Sequence, residues 1–154
     1  TIGEPENYLS IERKLKYICY RNMRLQMSET ATLDAPVASE ASALTKATVR
    51  AAQKLGLTNR TLATIVGLSE PTISRMSKGE YWLSRGDKKA FELSVLFVRL
   101  FRSLDAIMGG DEQAARSWLN SENLALHAAP MILIQNVSGL VNVVQYLDTR
   151  RARI

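Results

Sequence analysis

The stretch Thr58-Asn59-Arg60-Thr61-Leu62-Ala63-Thr64-Ile65-Val66-Gly67-Leu68-Ser69-Glu70-Pro71-Thr72-Ile73-Ser74-Arg75-Met76 decides the fold. Ala63 is small enough to let two crossing helices approach, Gly67 takes the positive φ of a tight interhelical turn, and Leu68 drops into the core between them. Ile73 and Met76 anchor the second helix on the same core. Ser69 stands as its N-cap, and Pro71 falls in its first turn, where the missing N–H is not needed. Glu70, Pro71, Thr72 and Arg75 are left projecting from the N-terminal half of that helix. In a helix-turn-helix this is the part that enters the major groove of DNA. A helical hairpin used only for protein contact is the alternative.

Charge favours the first reading. The chain has 154 residues and a mass of 17.1 kDa, is 46% hydrophobic and 23% charged, and carries a net +5. Residues 48–100 hold nine basic and four acidic groups, whereas residues 101–154 hold five of each. The basic excess therefore sits around the quoted stretch, and the C-terminal third is neutral, which suggests two jobs on one chain. Arg75 is the candidate for a bidentate contact to guanine, and Thr72 for a phosphate or a thymine methyl. Glu70 is placed to accept from a cytosine amino group or is merely tolerated near phosphates. Asn59, Arg60 and Lys78 would hold phosphates and set register.

Working outward, the whole chain from Ala43 onward reads as helical. Leu44, Ala47, Ala51 or Ala52 and Leu55 recur at helical spacing and stop at Gly56. Short helices follow over about Asn59–Val66, after Thr58 as N-cap, and Glu70–Ser77, ending near Gly79. A long one runs from about Asp87 to Met108. Asp111 and Glu112 open a fifth, which carries Trp118 and Leu119 on its last turn; Pro130 opens a sixth and Ser138 a seventh. Tyr81, Trp82 and Leu83 form either a stacking platform for single strands or a turn that packs its aromatics under the helix-turn-helix. The long helix has one stripe of Leu93, Phe97, Leu100, Leu104 and Met108, and an opposed one of Phe91, Val95 and Val98. It is either the central helix of the monomer or part of a homodimer interface.

Toward the N-terminus the signal weakens. Ser28–Ala47, rich in Ala, Ser, Thr and Glu, reads as a linker or frayed arm. Residues 8–27 form either a basic amphipathic arm or a solvated extension. Met27 would serve as a native start, in which case residues 1–26 need not be native.

Other function classes find little support. The single cysteine, Cys19, makes no internal disulfide, and no Cys/His cluster has metal-ligand spacing, so a reducing cytoplasm is expected and neither metal nor cofactor is. No apolar run is long enough to span a membrane. His127, the lone histidine, has no nucleophile nearby and reads as structural. Without a phosphate loop or a catalytic triad, an enzyme is not expected.

The motif over residues 58–76, with Leu-Ala, Gly-Leu-Ser and Thr-Ile-Ser-Arg at their offsets, resembles the Xre/Cro/cI class of helix-turn-helix. Residues 118–147, with Trp118-Leu119, Asn123, Leu126, Pro130, Leu133, Gly139, Val143 and Leu147, resemble the toxin-binding domain of Xre/MbcA/ParS-type antitoxins. Departures are Ser121-Glu122 where a proline commonly precedes the Asn, His127-Ala128 where glycine is usual, and Arg150-Arg151-Ala152-Arg153-Ile154 in place of a glycine near the end. The resemblance implies an all-α chain: a Cro/cI-like helix-turn-helix domain over 43–102, then a small helical toxin-binding domain over 103–154, preceded by an extension over 1–42. It also implies a type II antitoxin that binds a toxin, often of the NAD-consuming RES type, and represses its own operon; the homodimer that the long helix allows would suit that role. By the same resemblance Arg150, Arg151, Arg153 and Ile154 become a candidate plug for the toxin's active site, with a frayed, solvated helix end as the plain alternative. A stand-alone dimeric repressor and an adaptor that has lost DNA binding are the competing functions.

Overall fold

Three glycines in the left-handed region, Gly56 (φ 68°), Gly67 (φ 72°) and Gly79 (φ 76°), terminate the first three helices of the computed structural model, which describes residues 36–152. These helices are α1 (Pro36–Lys54), α2 (Asn59–Val66) and α3 (Glu70–Lys78). After each glycine the chain folds back: Leu57 N–H donates to the Ala52 carbonyl, Leu68 to Ala63, and Glu80 to Arg75, at 2.9–3.0 Å. This six-residue closure satisfies carbonyls that a helix end leaves free. The long α4 (Lys88–Ile107) follows, with Asp87 as N-cap, then α5 (Glu112–Asn120), α6 (Pro130–Leu133) and α7 (Val137–Arg151). All seven helices were expected, and the described residues contain no strand.

α4 is the organising element. Leu93, Phe97, Leu100 and Leu104 are buried along it, and it packs against α1, α2, α5 and α7. Its N-terminal part lies under the helix-turn-helix, where the Leu93 methyl sits 3.5 Å from the position a Cβ on Gly67 would take. Its C-terminal part holds α7: Arg99 Nε and Ser103 Oγ donate to the Asp148 carboxylate at 2.9 and 2.8 Å. The opposed stripe is not covered to the same degree. Phe91 and Val98 are half-buried, and Val95 is exposed.

A second tie joins the two halves. Arg116 of α5 donates through Nε to the Lys54 carbonyl at 2.7 Å and through Nη2 to that of Gln53 at 3.4 Å, while Glu112 faces Lys54 Nζ at 3.4 Å. A cation thus meets the negative end of α1.

Two expectations about the elements change. Residues 36–47, read as linker, are the first turns of α1. Their small residues give a weak apolar period, and the helix is held by tertiary contacts instead. Thr45 and Thr48 are buried, their hydroxyls donate to the carbonyls of Ala41 and Leu44, and Thr45 Oγ1 also accepts from Leu83 N–H at 2.9 Å. The last helix is capped by Asn136, not Ser138: Asn136 Oδ1 accepts from Gly139 N–H at 2.8 Å and from the Ser138 hydroxyl at 2.9 Å. His127, read as structural, is an exposed turn residue with φ 58°. The stretch 8–27, Met27, residues 28–35 of the expected linker, Arg153 and Ile154 lie outside the described residues.

Candidate functional site

Thr58 opens the helix-turn-helix. Its hydroxyl accepts from Thr61 N–H at 3.1 Å, which leaves Asn59 and Arg60 exposed on the first turn of α2. Ser69 repeats the device on α3, accepting from Thr72 N–H at 3.3 Å, and Glu70 and Pro71 stand exposed beside it. Leu62, Ala63, Val66, Ile73 and Met76 are buried between the two helices and the rest of the core. Arg75 and Lys78, three residues apart, are exposed on α3.

Thr72 differs from expectation. It is 9% exposed, and its hydroxyl shares a 2.8 Å hydrogen bond with the Ser69 hydroxyl. The third position of this capped helix turns back toward the cap, so the Thr72 side chain completes the turn instead of projecting. It does meet the exposed face at one point, accepting from Arg75 Nη2 at 3.4 Å.

The Tyr81-Trp82-Leu83 turn does not pack both aromatics under the helix-turn-helix as expected. Leu83 is buried, Tyr81 is half-buried with its ring 5.9 Å from the Arg75 guanidinium carbon, and Trp82 is 43% exposed with Lys46 Nζ 5.6 Å from its ring. Sequence reasoning missed both cation–ring pairs. Lys46 sat in the segment read as linker, and no spacing rule links residues so far apart.

A second face forms in the C-terminal part. Asn123 folds its loop: Oδ1 accepts from the N–H groups of Ala125 and Leu126 at 3.0 and 3.2 Å, and its own N–H donates to the Ala128 carbonyl at 3.2 Å. One residue beyond Leu126 the backbone is left-handed, at His127. Leu124, at the tip, is 88% exposed. Beside it an open groove is lined by Leu126, Asn142, Gln145, Tyr146, Thr149 and Arg150. Tyr146 stacks on Trp118, with centroids 6.3 Å apart and planes 17° from parallel, and the Arg150 guanidinium carbon lies 5.2 Å from the Tyr146 ring. Arg150 and Arg151 end α7 within its last helical turn, both exposed. Leu126 and Tyr146 look ordinary in the sequence, a Leu in a loop and a lone Tyr on a helix, until the turn brings them to one groove.

Pro130 is buried at the start of α6 and Leu119 is fully buried, whereas Trp118 is only half-buried through its stack on Tyr146. Gly139 is required by contact: a Cβ there would lie 2.1 Å from the Leu133 carbonyl oxygen.

Residues 34–99 match the family model of the antitoxin Xre-like helix-turn-helix domain, and residues 103–153 that of the antitoxin Xre/MbcA/ParS C-terminal toxin-binding domain. The chain has the architecture of an Xre/MbcA/ParS antitoxin. No curated protein matches it. In this antitoxin the Xre-like domain includes all of α1, so the helix hidden in the expected linker belongs to the matched region. The toxin-binding domain contains the Asn123 turn, the groove and the Arg150–Arg151 end. His127, in the place where glycine is usual, keeps the left-handed backbone that glycine would adopt freely. Among the described residues the antitoxin has no group of three His, Cys, Asp or Glu side chains able to hold a metal, and no helix long and apolar enough to cross a membrane.

Proposed function

We propose that this chain is the antitoxin of a type II toxin–antitoxin pair, which neutralises an NAD-consuming toxin of the RES type and represses its own operon. The observation that carries the reading is the order of the two matched domains along one chain. The distribution of charge supports it, since the basic excess lies within residues 48–100 and the C-terminal third is neutral. Asn59, Arg60 and Lys78 hold phosphates, Arg75 reads a guanine, and Glu70 and Pro71 border the groove edge. Arg150, Arg151, Arg153 and Ile154 meet the toxin, where a cationic end suits a pocket built for phosphates. The exposed Val95 face of α4 supports a homodimer, which would present two recognition helices to two half-sites. A cytoplasmic setting follows from both partners.

The test is expression of the adjacent reading frame with and without this chain. The pair is supported if the neighbour alone depletes cellular NAD and arrests growth, and if co-expression restores both and yields a stoichiometric complex. A harmless neighbour that forms no complex leaves the stand-alone repressor.

A further inference from the structure

Arg75 is exposed, yet the fold brackets its guanidinium from two sides. On its own helix, Thr72 Oγ1 accepts from Nη2 at 3.4 Å, and the Thr72 hydroxyl is itself tied to the Ser69 cap at 2.8 Å. From beyond the helix, the Tyr81 ring lies 5.9 Å from the guanidinium carbon. That ring is placed by backbone geometry. Gly79 (φ 76°) lets Glu80 N–H return to the Arg75 carbonyl at 2.9 Å and its own N–H reach Met76 at 3.1 Å, so the chain doubles back along α3. Two residues past Tyr81 the segment is fixed again, because Leu83 is 1% exposed and its N–H donates to the buried Thr45 hydroxyl at 2.9 Å. The ring therefore sits on a short span anchored at both ends.

We infer that Tyr81 is a positioning residue for base recognition, its ring face holding the Arg75 guanidinium in place before DNA arrives. The inference rests on the DNA-binding reading above. An exposed arginine loses much rotamer freedom when it forms a bidentate contact, and a cation already resting on an aromatic face has lost part of it. The gain falls on the one base that Arg75 reads and not on phosphate contacts made elsewhere. The ring face is the active part, so the phenolic hydroxyl is dispensable.

The experiment uses the full chain with two probes, duplexes that the wild type selects from a randomised pool and scrambled duplexes of equal length. Tyr81→Leu is expected to weaken the selected duplex by about two- to fivefold, the range of one exposed cation–ring contact. Scrambled-duplex affinity and the salt dependence should stay at wild-type values. Tyr81→Phe should behave as wild type, and Tyr81→Leu should add nothing in an Arg75→Ala background. Thermal unfolding checks that every variant is folded, with Tyr81→Met replacing Tyr81→Leu if the latter unfolds early. An equal loss on both probes, failure of Tyr81→Phe to restore selectivity, or a loss additive with Arg75→Ala overturns the inference. A wild type that selects no sequence overturns the DNA-binding reading itself, and this inference with it.

Discussion

Asp148 on the last helix receives Arg99 from the central helix on one oxygen, Oδ2, through both Nε, at 2.9 Å, and Nη2, at 2.6 Å, a pairing that ties the two helices together. Arg99 is largely exposed, so the ion pair by itself contributes at most about 1 kcal/mol. The same carboxylate also accepts from the Ser103 hydroxyl, on a residue only 1% exposed. Asp148→Ala therefore strips a buried hydroxyl of its partner and should cost about 1–3 kcal/mol, whereas Arg99→Ala should cost less. Urea midpoints of the two variants check the order.

Gly139 and Gly79 are needed for different reasons, and their alanine variants should differ accordingly. At Gly139 an added Cβ would meet backbone, the Leu133 carbonyl oxygen at 2.1 Å and its carbon at 2.7 Å, and neither can move without opening the α6–α7 junction. Gly139→Ala should lose about 3 kcal/mol or more. At Gly79 an added Cβ has open space, and only the left-handed φ of 76° opposes it. Gly79→Ala should cost about 1 kcal/mol. Thermal denaturation of both variants tests the contrast.

Ser94 on α4 is fully buried, and its hydroxyl has no hydrogen-bond partner among the described residues. An unpaired buried hydroxyl is a desolvation cost without return. Ser94→Ala should leave stability unchanged or raise it by about 1 kcal/mol, and calorimetry would read the shift. A clear loss would mean that the hydroxyl is paired in solution.

Arg75 and Lys78 are both exposed on α3, but their variants should separate recognition from attachment. Arg75→Ala should lose about 1–3 kcal/mol of discrimination at one base position, while Lys78→Ala should weaken all sequences alike and reduce the salt slope by about one. Binding to matched and scrambled duplexes across a salt series distinguishes the two.

Deleting residues 150–154 should abolish neutralisation of the toxin while leaving DNA binding intact. Arg150 and Arg151 close the last turn of α7, so their loss trims a helix end and leaves Leu147 in the core. A truncated chain that still protects cells would exclude the plug.

Local rules alone determined much of this protein. Thr58, Ser69, Asp87 and Asp111 cap helices because a short side-chain oxygen reaches an N–H two or three residues on. Gly56, Gly67 and Gly79 end helices because only a residue without Cβ takes a positive φ cheaply. These effects span a few residues, so the order of the seven helices and the helix-turn-helix were legible before any coordinates. Contacts across the chain were not. The first turns of α1 read as linker because their stability comes from Thr45 meeting Leu83 and Glu40 meeting Arg85, and neither partner lies within reach of a periodicity. Thr72 was assigned to the exposed face by position, yet the geometry of its cap turned it inward. The pairing of Arg75 with Tyr81 and the groove between the Asn123 turn and Tyr146 likewise exist only once backbone turns bring distant side chains together. Sequence patterns report which residue lies on which face of its own helix. Which faces then meet is decided by packing around α4.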